Sequence, residues 1–110
     1  MGVADQLRID VRHEADRVVV RLEGELDLAS APLLQEAIES ADREASSTLV
    51  LDLQELRFID STGLRMILWA QGRCQEFALT PGSQQVQRLL AISGAGEHLR
   101  IIASADEILV

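Results

Sequence analysis

Chemistry in this chain concentrates in one short run, Asp60-Ser61-Thr62-Gly63, preceded by Phe58-Ile59 and followed by Leu64. A carboxylate and two hydroxyls stand in succession where an apolar, strand-like segment gives way to a helical pattern. The first turn of a helix leaves backbone N–H groups unpaired and carries the positive end of the helix dipole, so a phosphate would be accommodated there. The same residue types are also the preferred N-caps, which makes an ordinary cap the competing reading. Register separates the roles. With Asp60 as N-cap, Ile59 takes N′ and Leu64 takes N4, the two positions of a hydrophobic staple. With Ser61 as cap, those positions fall to Asp60 and Arg65, neither of them apolar. The pattern favours a capping aspartate beside a spare serine hydroxyl, free to face solvent and to be modified.

The elements that must position this run alternate along the chain. Residues 7–12 alternate apolar and polar, as a half-buried strand does. Residues 13–17 form a polar turn, and the β-branched run Val18-Val19-Val20-Arg21-Leu22 completes a hairpin. Gly24-Glu25-Leu26-Asp27 makes an acidic loop. Ser30-Ala31-Pro32 opens a helix, with proline near the first turn where its missing N–H costs little; Leu34, Ile38, Ala41 and Ala45 mark its buried stripe. Residues 48–53 form a central strand apolar enough to be covered on both faces. The helix from Ser61 turns Leu64, Ile67 and Leu68 inward. Phe77-Ala78-Leu79 is a short strand ended by Pro81-Gly82. Ser83 caps a third helix that stops at Gly94. Ile101-Ile102 supply a last short strand before a short helix over 105–110. The expected fold is α/β: a mixed sheet of four to five strands, an N-terminal antiparallel hairpin followed by parallel crossovers, packed with about four helices. Sites in such sheets sit beyond the carboxyl ends of strands, where Asp60 and Ser61 fall.

Composition sets the outer limits. The 110 residues fit one domain, 1–110, and a 47% hydrophobic content excludes a disordered chain. A net charge of −8 argues against partners such as nucleic acid or an anionic membrane surface. The single cysteine, Cys74, allows no intrachain disulfide and reads as a small core residue. Neither a signal-like leader nor a stretch near the roughly 20 apolar residues of a membrane helix is present, so a cytoplasmic setting is expected. His13 and His98 lie far apart, with no companion at metal-ligand spacing. Nothing reads as a nucleophile–base–acid set, a Gly-Lys phosphate loop or a dinucleotide fingerprint, so no cofactor and no catalysis are expected.

Taken together, Leu22-Glu23-Gly24-Glu25-Leu26-Asp27, Ser30-Ala31-Pro32, Leu51-Asp52-Leu53 and Phe58-Ile59-Asp60-Ser61-Thr62-Gly63-Leu64 resemble a STAS domain. More narrowly, they are similar to the stand-alone bacterial anti-sigma factor antagonists, over nearly the whole chain. The resemblance implies a regulatory mechanism without catalysis. An anti-sigma factor that is also a serine kinase phosphorylates the serine after the aspartate, which is Ser61 here. The unphosphorylated antagonist binds that partner and releases the sigma factor; a serine phosphatase reverses the modification. A monomer is the default state. The resemblance places Glu25, Asp27, Asp60, Thr62 and Gly63 at or near the partner surface.

Two positions depart from the family pattern. Small residues, often glycine, commonly follow the Gly-Leu pair and recur one turn later; here Arg65 and Trp69 stand there. With Ser61 they form an i, i+4, i+8 row on one helix face. Arg65 is either solvated or an ionic partner for a phosphate on Ser61. Trp69 either fills a core gap or anchors the partner. A STAS accessory subunit docking on a transporter ATPase is the alternative function. A small enzyme or ligand-binding module is the third, and it would need a concave pocket beside Ser61; a flat or convex surface is expected.

Overall fold

The computed structural model describes residues 6–41, 48–74, 76–94 and 99–107. Four strands, β1 (Leu7–His13), β2 (Arg17–Leu26), β3 (Thr48–Ile59) and β4 (Phe77–Leu79), stand side by side in that order. β1 and β2 are antiparallel, and β2, β3 and β4 run parallel. The described helices are α1 (Ala31–Ala41), α2 (Ser61–Arg73) and α3 (Gln84–Ser93). The mixed sheet follows from the sequence, with one fewer helix than expected among the described residues. Ala105–Glu107 make only turns and a bend, and 108–110 lie outside the described residues, as do Ala45 and His98. The expected fifth strand is a single parallel bridge, Ile101 to Leu79.

Alternation decides which face is which. Val18, Val20 and Leu22 of β2, and Leu49, Leu51 and Leu53 of β3, point into the main core. Leu34 and Ile38 of α1, Leu64 and Ile67 of α2, and Val86 and Leu90 of α3 meet them there. Val19, Val50 and Ala78 face the other way, against Ile102 and Ala105. The central strand is thus covered on both sides, by helices on one and by the chain's last described segment on the other.

Three expectations need correction. Residues 24–26 are strand, not acidic loop, because β2 keeps pairing with β3 through two register shifts, one of them between Gly24 and Glu25. Gly24 sits there at φ +112°, and a Cβ on it would collide with the carbonyl oxygen of Gln6, so no other residue fits without a shift. β3 likewise continues through the polar stretch 54–57 to Ile59, with Leu56 and Ile59 buried on the way. Arg17, expected in a polar turn, opens β2 and is 6% exposed. Its Nη1 donates to the carbonyls of Ala105 and Glu107, both at 2.8 Å, and Nε and Nη2 donate to the Asp16 carboxylate at 3.0 and 3.1 Å. That hydrogen bonding holds the Asp16 carboxyl below its ordinary range and raises the Arg17 guanidinium. A charge in a turn was legible from sequence. The distant carbonyls that bury it were not.

Candidate functional site

Because β2 and β3 are parallel and pair Leu26 with Ile59, both strands deliver their chains to the same end of the sheet. The turn that starts α1 and the turn that starts α2 therefore lie side by side. Asp60 joins them. Its Oδ1 accepts from the Gly63 N–H at 2.8 Å, which makes it the N-cap of α2. Its Oδ2 accepts from the Leu28 N–H at 3.2 Å, and its own N–H donates to the Leu26 carbonyl at 3.2 Å. The capping register inferred from the staple positions holds: Ile59 and Leu64 are both buried.

With the cap supplied by Asp60, Ser61 is the first residue of α2, exposed, and its hydroxyl has no partner among the described residues. Thr62 is half-buried and Gly63 buried. A Cβ on Gly63 would stand 2.6 Å from the Leu26 carbonyl oxygen and 2.8 Å from Ile59 Cγ1. Glycine here is a matter of close approach: it lets the first turn of α2 rest on the end of β2.

The neighbouring turn is built from the other acidic residues. Asp27 Oδ1 accepts from the Ala29 and Ser30 N–H groups at 3.0 and 3.1 Å. Ser30 is fully buried; its Oγ donates to the Glu25 carbonyl and accepts from the Asp27 N–H, both at 2.9 Å. Glu25 is half-buried on β2, paired in register with Phe58. Glu25, Asp27, Asp60, Ser61, Thr62 and Gly63 thus converge at one end of the molecule. Arg65 and Trp69 run away from it along α2; at 1.5 Å rise per residue Trp69 lies about 12 Å along the axis from Ser61. Arg65 is exposed and forms no ion pair among the described residues. Trp69 is half-buried against the core, with the Arg73 guanidinium 5.5 Å from its ring centroid.

Two residues escaped the sequence reading. Ser30 was read only as a helix opener, yet its buried hydroxyl ties β2 to the turn. Leu28 was not singled out, although an apolar residue between Asp27 and Ser30 has no core role in a polar turn; it is 72% exposed. Two surface depressions are lined by Arg8, Asp10, Arg21 and Glu23, and by Leu7, Val11, Leu33 and Ala37; neither borders Ser61. No three His, Cys, Asp or Glu side chains are placed to share a metal ion among the described residues.

Comparison with known proteins bears on this geometry. The family model described as "Mlab, STAS domain" matches residues 9–103. The chain belongs to the STAS family. The anti-sigma F factor antagonist of Paenibacillus polymyxa is 34% identical to this STAS domain over 96 residues, covering 80% of each chain. Its fold is shared by an anti-sigma factor antagonist from Mycobacterium paratuberculosis, with a TM-score of 0.84 at 23% identity, over 93% of this chain and 90% of that one. The Bacillus cell fate determinant SpoIIAA in its phosphorylated form superposes with a TM-score of 0.65 at 22% identity, over 86% and 91%.

Proposed function

We propose that this STAS domain is an anti-sigma factor antagonist switched at Ser61. Unphosphorylated, it binds an anti-sigma factor that is also a serine kinase, and the sigma factor is released. Phosphorylated, it lets go until a serine phosphatase restores the hydroxyl. The phosphoryl donor belongs to the kinase, and the STAS domain contributes a surface. It acts as a monomer, in the cytoplasm where its partner works; no described helix is long and apolar enough to cross a membrane.

One observation carries the reading. The Ser61 hydroxyl is exposed at the first position of α2 and spared from capping by Asp60. A phosphate there adds about −1.5 to −2 charge. Unpaired N–H groups and the dipole at the helix start favour that charge, so the fold persists. A docked protein surface would not favour it. The dianion would enter an interface already holding the Asp60, Asp27 and Glu25 carboxylates, and a desolvated like-charge contact costs several kcal/mol.

Within this scheme the partner-facing residues divide by task. Asp27, Asp60 and Gly63 build and hold the two turns, Thr62 follows Ser61 in the first turn of α2, and Glu25 stands on β2 opposite Phe58. Arg65, one turn on, is within reach of a phosphate on Ser61. Trp69 extends the surface with its exposed edge. Incubation with ATP and the serine kinases of the same organism, followed by peptide mapping, tests the scheme. Phosphate on Ser61 and none in Ser61→Ala is the expected result. Label that persists in Ser61→Ala moves the switch elsewhere, and copurification with a transporter ATPase instead of a kinase replaces the scheme with the accessory-subunit role.

A further inference from the structure

The turn 27–30 is more heavily bonded than a connection of its length requires. Besides the Asp27 side-chain bonds, its backbone carbonyl accepts from the Ser30 and Ala31 N–H groups at 3.2 and 2.8 Å. Asp60 Oδ2 takes the Leu28 N–H. Every backbone N–H from Asp27 to Ala31 is engaged. At the apex of this framework Leu28 projects into solvent, 72% exposed. A lone exposed leucine is ordinary. A leucine fixed in place by five bonded amides, one of them held by the carboxylate that caps the switch helix, is a preorganised contact with no role in the core.

Resting on the antagonist reading, we propose that Leu28 is the apolar anchor of the anti-sigma factor interface and that Asp60 is its positioning residue. The partner surface it fits is a leucine-sized recess rimmed by basic groups. Asp27 precedes the anchor in the chain, Asp60 holds its amide, and the chain as a whole carries −8. Preorganisation supplies the advantage: little backbone freedom remains to be lost when Leu28 enters the recess. It also places the anchor beside Ser61, so one phosphate reaches the most desolvated part of the interface.

Calorimetric titration of full-length variants against the purified anti-sigma factor that wild type binds tests this. Leu28→Ala is expected to weaken binding roughly thirtyfold, the scale of an interface hot spot, with an unchanged melting temperature. Asp60→Asn has one amide oxygen for two N–H donors. The shorter Gly63 bond keeps it, and the Leu28 N–H then faces an NH2. Binding should fall several-fold in the wild-type background and clearly less in Leu28→Ala, where only the lost charge still counts. Equal losses in both backgrounds would leave Asp60 acting through its charge alone and overturn its positioning role. Leu28→Ala binding as tightly as wild type overturns the anchor. A wild type that binds no anti-sigma factor ends the antagonist reading, and the anchor with it.

Discussion

Three helices begin with a serine close at hand, and the three hydroxyls meet different fates. At α3, Ser83 is itself the N-cap and its Oγ accepts from the Val86 N–H at 3.3 Å. Before α1, Ser30 is buried and its hydroxyl bridges the Glu25 carbonyl and the Asp27 amide. At α2 the cap is Asp60, and Ser61 is left over. Local chemistry at α2 and α3 is alike: the carboxyl end of a parallel strand, a polar N-cap one residue before the helix, a helix start. What differs is which residue occupies the capping position. Shifting the cap by one place turns a serine from a structural acceptor into an exposed, modifiable alcohol.

That contrast can be broken by experiment. The largest effect belongs to Ser61 in its modified state. Stoichiometric phosphorylation should weaken the anti-sigma factor complex roughly a thousandfold, about 4 kcal/mol, without unfolding the domain. Calorimetry on the two forms, with circular dichroism as the fold control, decides it; equal affinity would leave Ser61 with no more regulatory weight than Ser83.

Stability should order the three serines the other way. Ser30→Ala strands the Asp27 amide and the Glu25 carbonyl beside a buried methyl, and should cost about 2 kcal/mol. Ser83→Ala loses a cap, about 1 kcal/mol. Ser61→Ala should stay within about 0.5 kcal/mol of wild type. Urea denaturation of the three variants reads this series, and a Ser61→Ala as damaging as Ser83→Ala would mean that its hydroxyl caps after all.

The smallest effect sharpens the local electrostatics. If Arg65 meets the phosphate, an exposed i, i+4 pair worth about 0.5 kcal/mol lowers the second phosphoserine pKa, and Arg65→Ala should raise it by about 0.4 unit. Phosphorus NMR across pH measures that shift. An unchanged titration would remove the contact and leave Arg65 to the partner.

Much of this was legible in the chain. Alternation in 7–12 and 18–22 gave the hairpin, and the apolar run 48–53 gave a strand covered twice. The helix start near Ala31 followed from a proline in the first turn, and those at Ser61 and Gln84 from caps and staple positions, because all of these depend on residues a few places apart. The strand extensions through 24–26 and 54–57 were hidden, since their polar residues are held by pairing between β2 and β3 with bulges at the shifts. Leu28 and Arg17 were hidden for the same kind of reason. Their amide and guanidinium are fixed by acceptors 32, 88 and 90 residues away.

Sequence alone therefore determined the order and cores of the main strands and helices, the cap at Asp60 and the freedom of the Ser61 hydroxyl, all of them contests among near neighbours along the backbone. Only the tertiary structure decided that the α1 and α2 starts share one surface, that a single carboxylate serves both, and that Leu28 stands beside the start of α2. Those facts depend on two parallel strands ending together at Leu26 and Ile59, and that register, reached through two shifts, is a relation between distant segments that no local pattern encodes.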